Sequence, residues 1–254
     1  MQNYIKDKTA LVTGASFGIG RECAKELAKL GANLILVSRN EEKLQELKEE
    51  LSSFNIDIKT ITLDVIDKEE VDKKLSNLDI DILINSAGLA LGLEPFYEGN
   101  EEDWDIMIDT NIKGLLYVTK AVINSMLNKD TAHIINLGSV AGKIAYPKGA
   151  VYCATKAAVH SLGEGMNADL YGTNVKVTTI APGAVETNFS NIRFKGDENR
   201  AKDVYKGFEP LRAIDIANVI INTLNTPPHV NIQYIDIMST AQRNPYLLYK
   251  EEEK

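Results

Sequence analysis

The sequence contains few cysteines, and this scarcity restricts the class of protein. Only two cysteines, Cys23 and Cys153, occur in 254 residues, and both lie in segments with a helical pattern. Two thiols in a chain of this length do not form a disulfide framework, and their spacing is not that of a zinc site. The low cysteine count therefore predicts a reduced, cytoplasmic protein without a metal site.

Long apolar runs and excess positive charge are also missing. No apolar run approaches the ~18 residues of a membrane-spanning helix. The first residues, MQNYIKDKTALVTG, lack the basic start and apolar stretch of a signal peptide. The 28 Lys and Arg residues are outnumbered by 36 Asp and Glu residues, which gives a net charge of −8. We therefore expect no nucleic-acid or membrane partner, and an anionic ligand must be held by individual cationic side chains.

Short apolar runs alternate with longer amphipathic ones along the chain, of which 44% is hydrophobic. Most of the short runs are continuously apolar, which is typical of strands that are covered on both faces of a parallel sheet. The alternation predicts one α/β domain with a doubly wound, seven-stranded parallel sheet and helices on both faces. The predicted strands are 9–14, 33–39, 58–65, 81–88, 133–139, 175–183 and 231–238, and the clearest helical patterns are 41–54, 101–127 and 150–171.

A glycine-rich turn, TGASFGIG, follows the first predicted strand and opens the first helix. Gly14, Gly18 and Gly20 give it the pattern G-x-x-x-G-x-G. Glycines allow a tight turn and let a pyrophosphate approach the helix N-terminus. A tight connection without a ligand is the alternative, but the position at the first strand-to-helix junction favours a nucleotide site.

The end of the second strand, VSRN, indicates which nucleotide is preferred. An acidic residue at this point binds the ribose 2′-hydroxyl of NAD. This chain has Ser38 and Arg39 instead, with no carboxylate before Glu41. A guanidinium pairs with a phosphate through two hydrogen bonds. The sequence therefore predicts NADP, unless Arg39 is only a solvated charge at the start of a helix.

Tyr152 and Lys156 lie four positions apart in a helical segment, so both side chains share one face. A nearby positive charge favours the phenolate form of tyrosine, whose ordinary pKa is ~10. We therefore expect Lys156 to lower the pKa of Tyr152 toward neutrality, where proton transfer is most effective. Ser139 ends the fifth predicted strand, at the edge of the sheet where open α/β folds bind ligands.

These motifs together resemble the short-chain dehydrogenase/reductase family, and the resemblance runs from about residue 8 to 240. The family places its catalytic serine thirteen positions before its tyrosine, as Ser139 and Tyr152 are placed here. Asn111, in DTNIKG, matches the fourth catalytic residue of the family. NSAG at 85–88 resembles the family's NNAG, with a serine in place of the second asparagine.

The resemblance implies a Rossmann-type fold and hydride transfer between a nicotinamide and an alcohol or carbonyl compound. By the same resemblance, Ser139 orients the reacting oxygen and Tyr152 exchanges a proton with it. Lys156 binds the nicotinamide ribose, and Asn111 holds a water that relays protons to solvent.

The resemblance also implies which residues bind the cofactor. Asp64 matches the position that contacts adenine, and the segment that begins at Pro182 matches the one that holds the carboxamide. The whole predicted set is Gly14, Ser16, Gly18, Ile19, Gly20, Ser38, Arg39, Asp64, Val65, Asn85, Ala87, Gly88, Tyr152, Lys156, Pro182, Gly183, Val185 and Thr187.

Two longer stretches, 87–95 and 189–197, resemble the branch of the family that oxidises serine, allo-threonine and related 3-hydroxy acids with NADP. The same branch reduces malonic semialdehyde. We expect Arg193 or Lys195 to bind the substrate carboxylate while Ser139 and Tyr152 bind the reacting oxygen; otherwise these two cations are solvated loop charges. The alternatives are a reductase for a 3-oxoacyl thioester or another carbonyl compound, and a non-catalytic NADP-binding regulator.

The whole chain, 1–254, is expected to be one domain. The nucleotide-binding half covers about 1–130, the catalytic and substrate-loop half 131–240, and the C-terminal tail 241–254. Family members are usually tetramers joined through the helices that carry the catalytic Asn and Tyr, which implies a homotetramer here. The three histidines share no motif, so structural or surface roles are expected for them.

Overall fold

Seven parallel strands form the central sheet of the computed structural model, which describes residues 2–251. The strands of the chain are β1 (Thr9–Thr13), β2 (Asn33–Ser38), β3 (Ile58–Thr62), β4 (Ile82–Asn85), β5 (Ala132–Leu137), β6 (Val175–Pro182), β7 (Val185–Glu186), β8 (Leu211–Arg212) and β9 (Tyr234–Ile237). The sheet order is β3-β2-β1-β4-β5-β6-β9, and every neighbouring pair is parallel. The predicted doubly wound, Rossmann-type fold is confirmed.

Helices cover both faces of this sheet. They are α1 (Gly18–Lys29), α2 (Glu41–Glu50), α3 (Lys68–Leu75), α4 (Glu101–Ile108), α5 (Leu115–Leu127), α6 (Ala150–Asp169), α7 (Phe189–Arg193), α8 (Glu198–Asp203) and α9 (Ala213–Leu224). Among residues 2–251, no helix is long and apolar enough to cross a membrane.

The strands are continuously apolar because successive side chains enter two different cores. Val12 and Leu36 belong to the cluster that contains α1 and α9. Leu11 and Ile35 point to the opposite face, into the cluster that contains α3 and α5. Each fully buried leucine contributes about 1.5–3 kcal/mol of apolar burial. Burial on both faces therefore holds the sheet rigidly under its loops.

The long helical pattern 101–127 is interrupted in the structure. α4 and α5 are separated by a π-helical turn, Asp109–Gly114. A π-turn contains an extra residue per turn, so it rotates the side chains that follow it relative to a continuous α-helix. Periodicity in the sequence does not indicate this interruption, because apolar positions continue through it. Asn111 lies within the turn.

The segment between β6 and α9, which we call the substrate loop (186–211), is more ordered than its polar sequence suggests. It contains α7 and α8, and the short strands at its two ends, β7 and β8, pair in parallel. Ser190, Phe194 and Ala201 are buried within it. These three side chains therefore pack inward although the segment is irregular and polar in sequence.

The tail also packs against the domain as far as it is described. The Gln242 side chain accepts a hydrogen bond from the Ala184 backbone N–H at 2.9 Å. The Glu251 N–H donates to the Gly207 carbonyl at 2.7 Å. The tail therefore contacts the chain just before the substrate loop and the last part of the loop itself.

Candidate active site

A cleft of about 770 Å³ opens at the carboxyl edge of the sheet. It is lined by the segments that follow β1, β2, β4, β5 and β6. The order of the strands reverses between β1 and β4, and ligands of open α/β sheets bind outside such a switch point. The predicted cofactor residues that line the cleft are Gly14, Ser16, Gly18, Ile19, Ser38, Arg39, Asp64, Val65, Ala87, Gly88, Tyr152, Lys156, Pro182, Gly183, Val185 and Thr187.

The glycine-rich turn has the geometry that its sequence requires. Gly14 has a φ of +65°, and a Cβ there would lie 3.0 Å from the backbone nitrogen of Ala87. Gly20 does not line the cleft; a Cβ there would lie 2.6 Å from the Gly14 carbonyl oxygen. Gly20 therefore allows α1 to pack closely against the turn. It would support a bound nucleotide by shaping the turn, without touching the nucleotide itself.

The beginning of α1 faces the cleft without a side-chain cap. Phe17 occupies the N-cap position, and within residues 2–251 no cap hydrogen bond from its side chain is formed. Gly18 and Ile19, the first residues of the helix, line the cleft. The first N–H groups of a helix have no partner within the helix, and they attract anions. This turn therefore fits a phosphate group.

The end of β2 presents one cation to the cleft. The Arg39 side chain is 64% exposed, and its Nη1 lies 3.5 Å from Asp64 Oδ2. An ion pair at this distance and exposure holds the guanidinium weakly. Ser38 is buried, and its Oγ accepts a hydrogen bond from the Asn40 N–H at 3.0 Å. Arg39 is thus free to turn toward an anionic ligand.

Asn85 is placed differently from the rest of the predicted cofactor set. Its amide nitrogen donates to Thr119 Oγ1 and to Asn136 Oδ1, both at 3.0 Å. The residue is buried at the end of β4 and does not line the cleft. Its side chain holds neighbouring elements of the scaffold together, so direct contact with a cofactor is not supported by its position.

Tyr152 and Lys156 meet at the floor of the cleft, as expected for one face of α6. The Lys156 Nζ lies 6.0 Å from the centre of the Tyr152 ring. It donates a hydrogen bond to the Leu137 carbonyl at 2.8 Å. Both side chains are buried. The two groups therefore share one desolvated pocket.

The acidity of Tyr152 differs from the prediction. Burial raises the pKa of the Tyr152 phenol above its ordinary value, and the neighbouring Tyr146 raises it further. A hydrogen bond with Ser139 and the positive charge of Arg193 lower this pKa only in part. Burial also lowers the pKa of Lys156 to about 8. For the chain without a bound cofactor, the prediction that Lys156 brings the phenol near neutrality was therefore wrong, because burial has the largest influence on the pKa of Tyr152.

Ser139 lies directly beside this tyrosine. It caps the short 3₁₀ turn Val140–Gly142, where its Oγ accepts a hydrogen bond from the Ala141 N–H at 3.1 Å. The hydroxyl also donates to the Pro182 carbonyl at 3.4 Å, a long contact. Ser139 and Tyr152 thus present two hydroxyls at one place in the cleft.

Asn111 lies behind the cleft and does not line it. Its amide nitrogen donates to the Leu89 carbonyl at 2.8 Å and to Thr155 Oγ1 at 3.0 Å. Its Oδ1 accepts from the Leu89 N–H at 2.8 Å. Both amide hydrogens and one acceptor site of Oδ1 thus fix the loop after β4 to α6. The contacts give Asn111 a positioning role, and a water relay through it stays a prediction.

The two candidate carboxylate-binding cations are separated by the structure. The Arg193 guanidinium carbon lies 5.9 Å from the centre of the Tyr152 ring. Lys195 instead forms an ion pair of 2.9 Å with Asp103, and its side chain is 59% exposed. Lys195 lines neither the main cleft nor the small cavity of about 30 Å³ that Arg193 and Tyr152 share. Of the two, only Arg193 faces the candidate reaction centre.

Tyr146 and Phe189 complete the surroundings of Tyr152, and sequence reasoning missed both. The Tyr146 hydroxyl accepts a hydrogen bond from Arg193 Nη1 at 2.8 Å. The Phe189 ring centre lies 5.6 Å from that of Tyr152. Tyr146 stands in the irregular run KIAYPKG, which has no periodic pattern. Only its position six residues before Tyr152 connects it with the site.

Known proteins share both the sequence and the fold. The short chain dehydrogenase family matches residues 8–198. An NADP-dependent 3-hydroxy acid dehydrogenase of Escherichia coli (strain K12) is 42% identical over 91% of this chain and 95% of its own. Sulfoacetaldehyde reductase 2 of Chromohalobacter salexigens is also 42% identical, over 91% and 94%.

Solved structures agree with these relatives. The closed form of a serine dehydrogenase complexed with NADP⁺ has a TM-score of 0.89 and 41% identity, and covers 96% of this chain and 100% of its own. Serine dehydrogenase from Escherichia coli has a TM-score of 0.79 and 38% identity, over 92% and 99%. By sequence, coverage and fold, the chain belongs to the short-chain dehydrogenase family of oxidoreductases.

Proposed function

We propose that this protein is an NADP-dependent oxidoreductase that interconverts a small 3-hydroxy acid and its carbonyl counterpart. Candidate substrates are serine, allo-threonine and 3-hydroxypropionate, whose carbonyl counterpart is malonic semialdehyde. The observation that carries the proposal is the position of the Arg193 guanidinium, whose carbon lies 5.9 Å from the centre of the Tyr152 ring in the small cavity that shares Tyr152 with the cleft. The names of the relatives, a 3-hydroxy acid dehydrogenase and a serine dehydrogenase, support the same substrate class.

The residues around the cleft fit the proposed cofactor. The uncapped start of α1 would hold the pyrophosphate, and Arg39 with Ser38 would hold the 2′-phosphate of the adenosine ribose. Asp64 and Val65 would flank the adenine. Lys156 would hold the nicotinamide ribose, and the residues from Pro182 to Thr187 the carboxamide. These contacts are spread over both halves of the chain, 1–130 and 131–240, so the two halves form one site in our proposal.

The chain's own residues would do the acid–base work. When bound, NADP accepts or donates the hydride. The Ser139 hydroxyl would donate a hydrogen bond to the substrate oxygen and orient it beside Tyr152. In reduction the Tyr152 hydroxyl gives its proton to that oxygen; in oxidation the Tyr152 phenolate removes the proton of the substrate hydroxyl. Arg193 would pair with the carboxylate and place the reacting carbon in the cleft.

The state of Tyr152 has a consequence for the two directions of the reaction. Its pKa lies above the ordinary value, so the phenol is protonated at neutral pH. The protonated phenol is the acid that carbonyl reduction needs, whereas alcohol oxidation needs the phenolate. We therefore expect reduction to proceed at neutral pH and oxidation to accelerate as the pH rises.

A substrate panel tests the proposed function. Oxidation of L-serine, D-serine, L-allo-threonine and 3-hydroxypropionate is followed by absorbance with NADP or NAD at alkaline pH. Reduction of malonic semialdehyde, a 3-oxoacyl thioester and a neutral aldehyde is followed with NADPH at neutral pH. Preference for the thioester or the neutral aldehyde would reject 3-hydroxy acids as the substrate class and favour the corresponding carbonyl reductase. Absence of turnover on every compound would point to a non-catalytic NADP-binding regulator.

Ser38→Asp tests the choice of nucleotide. A carboxylate at the end of β2 would repel a 2′-phosphate and accept a hydrogen bond from the free 2′-hydroxyl. We expect the ratio of kcat/KM for NADP to that for NAD to fall by roughly 5–1,000-fold, because a like charge at about 4 Å costs about 1 kcal/mol in bulk water and about 4 kcal/mol near a protein surface. Ser38→Asn has the same shape without the charge and serves as the control. An unchanged ratio in Ser38→Asp would mean that the phosphate is recognised elsewhere.

We also propose a cytoplasmic homotetramer. Both cysteines are free and buried, which is compatible with a reducing compartment. α4 and α5 expose Ile106, Leu116 and Leu127, and these side chains would be covered if neighbouring subunits met on this surface. Light scattering during size-exclusion chromatography measures the mass directly, and a monomeric mass would reject the assembly.

A further inference from the structure

A buried histidine lies directly behind the serine of the candidate site. His160 is on α6, eight positions after Tyr152 and four after Lys156, and is 8% exposed. The Ser139 backbone N–H donates a hydrogen bond to its Nε2 at 3.4 Å. This hydrogen bond joins the His160 side chain of α6, the helix that carries Tyr152, directly to the backbone of Ser139.

The ring fills the space between the serine turn and the helix. A Cβ on Gly138 would lie 2.6 Å from His160 Nε2, and a Cβ on Gly142 would lie 2.6 Å from His160 Cε1. Gly138, just before Ser139, and Gly142, at the end of the turn, are therefore both in close contact with the ring. A flat, rigid ring in this position determines how far the turn stands from α6.

The surroundings of the ring keep it in place and in its neutral form. Burial, together with the positive charges of Lys156 and Lys143, lowers the pKa of His160 to about 4. The neutral Nε2 accepts the Ser139 N–H at neutral pH, and the Tyr234 hydroxyl lies 3.3 Å from each of the two ring nitrogens. Tyr234 meets the ring edge-on at 5.1 Å, and the Lys143 ammonium lies 4.0 Å above the Tyr234 ring. Lys143 is in turn paired with Asp236 at 2.5 Å.

We infer that His160 is a positioning residue that holds Ser139 at a fixed place relative to Tyr152. The inference rests on the proposed function, in which both hydroxyls bind one substrate oxygen. Because His160, Lys156 and Tyr152 belong to one helix, the ring connects the position of the serine to the rigid element that carries the tyrosine. A misplacement of 1 Å in such an arrangement costs about 10²-fold in rate, so partial loosening is expected to cost less.

Three substitutions of His160 distinguish the effect of its hydrogen-bond acceptor, Nε2, from the effect of the volume of the ring. His160→Gln places a polar atom near the original Nε2 and keeps the acceptor. His160→Asn is shorter and does not reach the Ser139 N–H, and His160→Leu fills the space without an acceptor. We expect kcat to fall by roughly 10-fold in His160→Asn and His160→Leu and by less than about 3-fold in His160→Gln. The KM for the nucleotide is expected to be unchanged in all three variants. His229→Leu, on an exposed loop, is the matched control.

Amide hydrogen exchange of the enzyme alone tests the contact without any turnover. Amide exchange at Ser139 and through 140–142 is expected to accelerate in His160→Asn and His160→Leu and to stay near the original rate in His160→Gln. Exchange elsewhere on the sheet is expected to be unchanged in all three variants. Equal exchange rates at 139–142 in His160→Gln and His160→Asn would overturn the inference. This comparison also decides the matter if the Leu variant does not fold.

A double-mutant cycle with Ser139→Ala distinguishes positioning from general destabilisation. If His160 acts through Ser139, His160→Asn will have little further effect on kcat once the serine hydroxyl is gone. Additive effects would overturn the inference. If Ser139→Ala itself retains full activity, the role of the serine in the proposed function fails, while the exchange measurement still decides whether His160 holds the turn.

Discussion

Tyr152→Phe is expected to lower kcat by about 10²–10⁴-fold, the range that a positioned general acid or base supplies. The substitution keeps the ring, its burial and its contact with Phe189, and it deletes only the hydroxyl that would exchange a proton with the substrate. Steady-state rates in both directions measure the loss. Fluorescence titration should show that NADPH still binds, since the contact with the nicotinamide ribose is assigned to Lys156.

The control for this substitution is Tyr171→Phe, because that tyrosine is 92% exposed just beyond α6. It should retain the full rate. Substantial residual activity in Tyr152→Phe, at any pH, would remove the phenol from the mechanism and leave the cleft as a binding site only.

Arg193→Ala is expected to lower kcat/KM for a 3-hydroxy acid by about 10²-fold relative to a neutral alcohol of the same size. Hydrogen bonds to charged groups contribute about 1.5–3 kcal/mol, which corresponds to roughly 10–150-fold. The ratio between the two substrates is the informative quantity, because Arg193 also donates to the Gly92 carbonyl at 3.1 Å and to Tyr146. Loss of those bonds should affect both substrates equally.

Lys195→Ala is the matched control, since this cation is two positions away and is engaged by Asp103. We expect little change in the ratio between the acid and the alcohol. Arg193→Lys keeps the charge without the planar pair of donors, and we expect it to recover part of the loss. An equal decrease for both substrates in Arg193→Ala would reject carboxylate capture and leave Arg193 as a structural tie.

The sheet could be predicted from the sequence because its strands are buried on both faces. Continuous apolar runs mark such strands, and all seven were found with ends that differ by a few residues. The last strand begins at Tyr234 instead of 231, and β4 ends at Asn85. The π-turn around Asn111 could not be predicted, because the helical pattern of the sequence continues on both sides of it.

The candidate site was predictable where residues follow strand ends or share a helical face, as Ser139 and Tyr152 do. Arg193 could not be separated from Lys195 by sequence, since both occur in one polar run. Their different positions depend on Asp103 and Tyr146, which come from distant parts of the chain. The pKa of Tyr152 was misjudged for a similar reason: spacing indicates which charge is near, but it does not indicate how completely the pocket excludes water.

The reciprocal bonds between Arg193 and Gly92 have a consequence for timing. The Gly92 N–H donates to the Arg193 carbonyl at 3.1 Å, and the Arg193 Nε donates back to the Gly92 carbonyl. The guanidinium that would recognise the substrate thus supplies one of these two hydrogen bonds between the substrate loop and the segment after β4, and the Arg193 backbone accepts the other. If the substrate carboxylate takes the place of the Gly92 carbonyl at this guanidinium, substrate binding removes the side-chain bond and leaves the backbone bond between the two segments. Substrate binding and loosening of the substrate loop would then occur together.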